Sequence, residues 1–162
     1  MIILNIHTKP YLAQYALHEY PTYHTGVVRF PAESLMNMAI LSRLKVRPFQ
    51  ESPNVGNLPV LVNEEANLSK RTDLYNWITR ADEGLVERCL RMDFNATLHY
   101  FMDSNRYNRG IDYKDSANLF IEKYGLADLI QPEALLKKHV RWKKKVREHR
   151  TGQSEQTEFN FG

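Results

Sequence analysis

Residues 112–150 read DYKDSANLFIEKYGLADLIQPEALLKKHVRWKKKVREHR, and this segment predicts two helices separated by a short break. Asp112 can accept hydrogen bonds from the first free N–H groups of a helix, and Gly125 tolerates the left-handed backbone that ends one. The spacing therefore predicts a helix over residues 113–124. Pro132 suits the first position of a second helix, and no breaker follows it within the segment. We expect a helical hairpin, with a three-helix variant of the helix-turn-helix as the alternative.

The second predicted helix, over residues 132–150, has one apolar face and an otherwise cationic surface. Its apolar and aromatic side chains recur at steps of three and four residues, at Leu135, His139, Trp142, Val146 and His149. Such a stripe is typical of a helix that packs on its own protein. Eight basic residues share residues 137–150 with a single acidic one, Glu148. The basic residues are Lys137, Lys138, Arg141, Lys143, Lys144, Lys145, Arg147 and Arg150.

This helix carries the positive charge of the whole chain. The 162 residues include 22 Lys and Arg and 19 Asp and Glu, for a formal net charge of +3. Outside residues 137–150 the balance is 14 basic against 18 acidic residues, which is a net charge of −4. Each cation that neutralises a phosphate releases counterions, so the eight basic residues predict a nucleic-acid-binding face, with DNA favoured over RNA. The alternatives are a solvated outer face and an acidic protein partner.

Two shorter basic patches are auxiliary candidates. Arg106 and Arg109 lie in a predicted polar turn over residues 104–110, and Lys70 and Arg71 precede a predicted helix that begins at Thr72. Helix N-termini bind phosphate readily, and both patches could extend the basic face. The alternative for both is an ordinary exposed loop.

The polar C-terminal residues 151–162 are predicted to be a disordered tail. Within it, Gln156-Thr157-Glu158-Phe159-Asn160-Phe161 resembles the short peptides by which bacterial replication proteins dock on the sliding clamp. A glutamine leads and aromatic residues close the motif, although the usual leucine is missing. The resemblance implies a replication protein as partner, bound through Gln156, Phe159 and Phe161. Alternatively, the two phenylalanines pack on their own domain.

The remainder predicts a mainly α fold with a small N-terminal β-sheet, an α+β class. A chain of this length suits one multihelical domain, which we place over residues 1–150. Strands are expected over residues 2–6 and 26–30, paired with each other, and an edge strand over 58–62. Helices are expected over residues 10–20 and 32–45, and two or three more helices over 72–103.

Catalytic signatures are missing from the sequence. The six histidines form no His-x-x-x-His pair, and the single cysteine, Cys89, allows neither an internal disulfide nor a multi-cysteine zinc site. No nucleophile elbow, dinucleotide glycine pattern or phosphate-binding loop occurs. We therefore expect no catalytic residue, no metal and no cofactor. The single cysteine and the lack of an export signal or a spanning segment favour the cytoplasm and no membrane partner.

One family resemblance rests on Gly110-Ile111-Asp112, Tyr124-Gly125-Leu126, residues 133–138 and the basic run 141–145. Together they resemble the C-terminal portion of small uncharacterised bacterial proteins that are often carried on phages or other mobile elements. The resemblance covers about a quarter of the chain and implies association with DNA. The sequence thus predicts a non-enzymatic bacterial DNA-binding or replication/mobile-element accessory protein. The alternative is a protein-interaction module, including a homodimer, that uses the last helix or the tail.

Overall fold

The structure, a computed structural model, describes residues 2–62 and 71–159, with side chains described for 2–62 and 71–152. Its elements are β1 (Ile2–Ile6), α1 (Pro10–Glu19), α2 (Leu35–Arg43), β2 (Lys45–Val46), β3 (Leu58–Val62), β4 (Tyr75–Trp77), α3 (Arg80–Arg109), α4 (Tyr113–Tyr124) and α5 (Pro132–Phe159). Helices dominate, and β1 pairs with β3 near the N-terminus. The predicted mainly α architecture with a small N-terminal sheet is confirmed. Within the described ranges, no helix has the length and apolar character needed to cross a membrane.

Residues 1–96 and 124–129 form one compact unit. β1 runs antiparallel to β3, from Ile2 opposite Val62 to Ile6 opposite Leu58, and the predicted pairing of residues 2–6 with residues 26–30 was wrong. Apolar side chains from the sheet, from α1 and from the first part of α3 fill the core of this unit. They include Leu4, Ile6, Leu12, Tyr15, Val60, Leu90 and Phe94. The sheet is therefore held by the burial of its apolar side chains, each worth about 1.5–3 kcal/mol.

Residues 97–123 and 130–162 form a second compact unit. Here α3 meets α4 through Phe101 and Phe120, whose ring centroids are 5.4 Å apart, and meets α5 through His99 and His139. Leu98 and Met102 of α3, Ala117 and Phe120 of α4, and Leu135 of α5 are all buried. The apolar stripes of three amphipathic helices thus form this core. That the two units act as the predicted single domain over 1–150 stays a prediction.

A strand replaces the helix predicted to begin at Thr72. Residues 72–74 form a turn, in which the N–H of Tyr75 donates to the carbonyl of Arg71 at 2.8 Å. β4 then pairs antiparallel with β2, with Lys45 opposite Trp77. The prediction was wrong because strand pairing with residues far away in the sequence overrides a local helical pattern.

From residue 80 to residue 109 a single helix, α3, replaces the further helices and the polar turn that were predicted there. Thr79 caps its start, where the hydroxyl accepts from the N–H of Asp82 at 3.1 Å. The end comes at Gly110, whose φ is +68°, and the next N–H, of Ile111, donates to the carbonyl of Asn105. The left-handed backbone of Gly110 is the common glycine end of a helix. Arg106 and Arg109 therefore lie in the last helical turn of α3, not in a loop.

The last helix, α5, extends beyond its predicted end at Arg150 to Phe159. Thr151 continues the helix and donates through its hydroxyl to the carbonyl of Arg147 at 2.6 Å. Gly152 is also helical and does not adopt the left-handed backbone that ends α4. The predicted disorder over residues 151–162 therefore conflicts with the helix as far as 159. The predicted contact residues Gln156 and Phe159 lie in this helix with side chains outside the described part, and Phe161 lies outside the described residues.

Candidate nucleic-acid interface

The buried side of α5 fixes which of its cations face outward. Leu135 and His139 are fully buried, and Trp142 and Val146 are half-buried. The predicted apolar stripe therefore holds over three turns and ends before His149, which is exposed. Side chains advance by about 100° per residue along a helix, so the positions opposite this stripe point away from the core.

Four exposed cations form an outer row: Lys137, Arg141 and Lys144 lie on the side opposite the buried stripe, and Lys145 lies beside them, about 90° from the stripe. Three of them are spaced at i, i+4 and i+7, which places them in line along the helix. All four are exposed, and none makes an ion pair with another described residue. Glu148 lies in the same row without such a pair. The outer row is thus a solvent-facing line of positive charge about 12 Å long, at 1.5 Å per residue.

A second line of cations, the side row, runs along the flank of α5 at the spacing i, i+4 and i+7. It consists of Lys143, Arg147 and Arg150. Arg147 and Arg150 are exposed and make no ion pair within the described residues. The side row borders a cavity of about 320 Å³, whose other lining residues are Asp103, Tyr107, Trp142 and Val146.

Lys143 differs from its neighbours because its ammonium group is already bonded. It donates to the hydroxyls of Tyr113 at 2.6 Å and Tyr107 at 3.0 Å, and lies 3.0 Å from a carboxylate oxygen of Asp103. Burial alone would lower the pKa of Lys143, but these contacts raise the pKa above its ordinary value. Lys143, predicted to contact phosphate, is therefore a charged part of the second unit's interior, with its side chain 21% exposed.

The remaining predicted cations are in different settings. Lys138 is half-buried, whereas Arg106 and Arg109 are exposed. Arg71 pairs with Asp73 at 2.7 Å in the first unit, so its charge is partly neutralised, and Lys70 lies outside the described residues. The eight predicted cations of α5 thus comprise six exposed ones and two half-buried ones, Lys138 and Lys143.

A chain of polar side chains beneath the side row was missed by the sequence reasoning. His139 lies with Nε2 3.2 Å from Asp103 and Nδ1 3.0 Å from Nδ1 of His99. An ionised carboxylate can only accept, so His139 donates from Nε2 and its Nδ1 accepts from the N–H of His99. Burial would raise the pKa of Asp103, but hydrogen bonds from Lys143 and Tyr113 hold it below its ordinary value. The carboxylate therefore stays ionised, with three donors around it.

The two histidines of this polar network, His99 and His139, are kept neutral. Burial lowers the pKa of His99 to about 4, and the nearby positive charge of Lys138 lowers it further. Burial also lowers the pKa of His139, by more than Asp103 raises it. The indole of Trp142 stacks on His99 with ring centroids 4.3 Å apart and planes 9° apart. The spacing of His99 and Asp103, at i and i+4 on one helix face, is the sequence signal that could have found this network.

The first unit has its own polar cluster, at the start of α3. The carboxylate of Glu83 is 2% exposed and accepts from Asn54 at 3.0 Å and Arg80 at 2.9 Å, with Nδ1 of His7 at 3.1 Å. His7 and Arg80 also border a cavity of about 550 Å³. These contacts join β1 to α3 and satisfy a buried charge. Among the residues the structure describes, no group of three or more His, Cys, Asp or Glu side chains is placed to hold a metal ion.

Comparisons with known proteins do not extend this description. A scan of protein-family models, a search of curated proteins and a search of solved structures each returned no match to this chain.

Proposed function

We propose that this protein binds nucleic acid, DNA in preference to RNA, through the exposed cations of α5. The observation that supports the proposal is the set of six exposed cations on α5 that make no ion pair within the described residues. The opposite side of the helix is anchored by buried Leu135 and His139. A surface of this kind gains affinity for phosphates through counterion release, without any base contact.

The dimensions of α5 suit a duplex. Its 28 residues span about 42 Å at 1.5 Å per residue, and the cations lie between about 8 and 27 Å from its start. A major groove is about 12 Å wide and admits an α-helix. The outer row can therefore contact phosphates of a strand that borders the groove.

The charge distribution also directs a polyanion to α5. Outside residues 137–150 the chain carries 18 acidic and 14 basic residues, so a polyanion is repelled there on average. Electrostatic steering raises the rate of encounter with the surface that carries the opposite charge.

In this proposal the protein acts in the cytoplasm as a non-enzymatic accessory of bacterial replication or of a mobile element. Arg106 and Arg109 provide auxiliary phosphate contacts from the end of α3. Gln156, Phe159 and Phe161 provide contacts with a replication protein.

The test compares a variant that lacks the four charges of the outer row with a variant that lacks four positive charges elsewhere. The outer-row variant combines Lys137→Gln, Arg141→Gln, Lys144→Gln and Lys145→Gln. The control variant combines Arg29→Gln, Arg47→Gln, Arg88→Gln and Lys114→Gln, four exposed cations without an ion pair in the described residues. Duplex affinity is measured against salt concentration for both, with circular dichroism to confirm that each variant is folded.

Four phosphate contacts predict a log–log slope of about −3.6, at about −0.9 for each contact. Wild-type affinity should then fall about 150-fold between 50 and 200 mM salt. The outer-row variant should lose most of this slope, and the control variant should keep it. Absence of duplex binding at about 50 mM salt, or an equal loss in both variants, would reject the proposal. The interaction-module alternative would then be favoured.

A further inference from the structure

The cavity beside the side row has the composition of a site for an unpaired nucleotide. Its walls include two aromatic rings, Tyr107 and Trp142, and two exposed guanidinium groups, Arg147 and Arg150. Its volume of about 320 Å³ is at the lower end of the range for small-molecule sites. Proteins that bind single strands combine these same two features, an aromatic surface for bases and a basic groove for the backbone.

The two aromatic side chains make contacts within the protein, and Tyr107 is also accessible. Tyr107 is 72% exposed, yet its hydroxyl accepts from the ammonium of Lys143 at 3.0 Å, with that nitrogen 5.0 Å from the ring centroid. Trp142 is held by its stacking on His99. Because both rings are already fixed, a base that stacks on them costs little side-chain entropy.

The charges at the cavity suit a phosphate. Among the described lining residues, Asp103 carries the one negative charge, and Lys143, 3.0 Å away, balances it. Arg147 and Arg150, both exposed, leave a net charge of about two positive units in this lining. A guanidinium can bind phosphate oxygens through two parallel hydrogen bonds.

We propose that this cavity binds one nucleotide of an unpaired nucleic-acid strand, with the base against Tyr107 and Trp142 and the phosphate against Arg147 and Arg150. The inference deepens the proposed function and rests on it. Duplex binding through the exposed cations of α5 does not need the rings of Tyr107 or Trp142. The protein should therefore prefer single strands, or duplexes with an unpaired segment, over fully paired DNA.

The experiment uses the full chain with Trp77→Phe, which leaves Trp142 as the only tryptophan. Its fluorescence is titrated with thymidine monophosphate and with an oligothymidylate, and the affinity for a paired duplex is measured separately. Tyr107→Leu removes the ring, whereas the matched control Tyr107→Phe keeps the ring and loses only the hydroxyl. A double variant, Arg147→Gln with Arg150→Gln, removes the two guanidinium groups.

Both thymidine ligands should quench Trp142. Tyr107→Leu should weaken oligothymidylate binding about 5- to 150-fold, the usual effect of losing one stacked base, while Tyr107→Phe binds within about 3-fold of the parent. The arginine double variant should lower the single-strand salt slope by about 1.4. Tyr107→Leu should leave the duplex affinity unchanged.

Separate results distinguish the two proposals. Salt-dependent duplex binding without quenching of Trp142, or with equal single-strand affinities for Tyr107→Leu and Tyr107→Phe, would overturn the nucleotide site and leave the proposed function standing. Quenching by thymidine monophosphate that needs the Tyr107 ring, together with no binding of any strand or duplex, would support the cavity as a nucleotide site and overturn the proposed function.

Discussion

Replacing Lys143 should destabilise the second unit far more than replacing Lys144, the adjacent residue on α5. Lys143→Met keeps the aliphatic stem and removes a charge that contacts Tyr107, Tyr113 and Asp103. Hydrogen bonds to charged groups are worth about 1.5–3 kcal/mol in mutational series, and the side chains of Lys143 and Asp103 are only 21% and 25% exposed. Because Tyr113 and His139 still donate to Asp103, we expect a net loss of about 1–3 kcal/mol. Lys144→Met removes an exposed charge and should cost less than about 0.5 kcal/mol.

Urea unfolding measures the difference. The fluorescence of Trp142, in a chain with Trp77→Phe, reports on the second unit. With a slope of about 2 kcal/mol per molar urea, a loss of 2 kcal/mol lowers the midpoint by about 1 M. The Lys144→Met midpoint should stay within about 0.3 M of the parent. Equal midpoints for the two variants would show that Lys143 does not make these contacts in solution.

Two further predictions concern His99 and two glycines. The ring of His99 is buried and its pKa is about 4, against 6.5 in the unfolded chain. Its contribution to stability is therefore complete above pH 6.5 and is lost as the pH falls toward 4. The free energy of unfolding should drop by about 2 kcal/mol between pH 7 and pH 5. This drop should be smaller in the variant His99→Gln. If the variant has the same pH profile as the parent, the buried neutral ring is contradicted. Gly125→Ala, at φ +66° with the side chain of Gln14 3.2 Å from the added Cβ, should cost about 1–2 kcal/mol in thermal unfolding. Gly84→Ala, within α3 and with nothing within 4 Å of the added Cβ, should stabilise by up to about 1 kcal/mol, and the reverse order would refute both backbone assignments.

Helix ends with local capping signals were predictable from the sequence. Asp112 accepts from the N–H of Asp115 at 2.8 Å, and Gly125 adopts φ +66°, so α4 begins and ends as predicted. These interactions join residues within one turn of each other. A short window of sequence therefore contains everything needed to find them.

Elements that depend on distant partners were predicted less well. β4 exists because it pairs with β2, about thirty residues earlier, and no local pattern indicates that pairing. In α3, Asp82 and Glu83 form the acidic first turn of one long helix, where two or three helices were predicted. Acidic residues favour the positive end of the helix dipole, so the same residues stabilise that start.

In the candidate interface, too, features set by local sequence could be predicted, and contacts with distant residues could not. The outward position of Lys137, Arg141 and Lys144 follows from helical periodicity alone, so it could be predicted. The internal role of Lys143 depends on Asp103 and Tyr107, about forty residues away in the sequence, and could not. The cavity they share became visible only in three dimensions.

Lysine footprinting tests most directly whether the outer row of α5 binds nucleic acid. The protein is acetylated with and without an excess of duplex DNA at about 50 mM salt, and modification at each lysine is read by mass spectrometry. We predict that DNA protects Lys137, Lys144 and Lys145 several-fold, that Lys114 on α4 reacts equally in both samples, and that Lys143 reacts slowly in both. Equal modification of the outer-row lysines with and without DNA, or equal protection of Lys114, would contradict binding through this face.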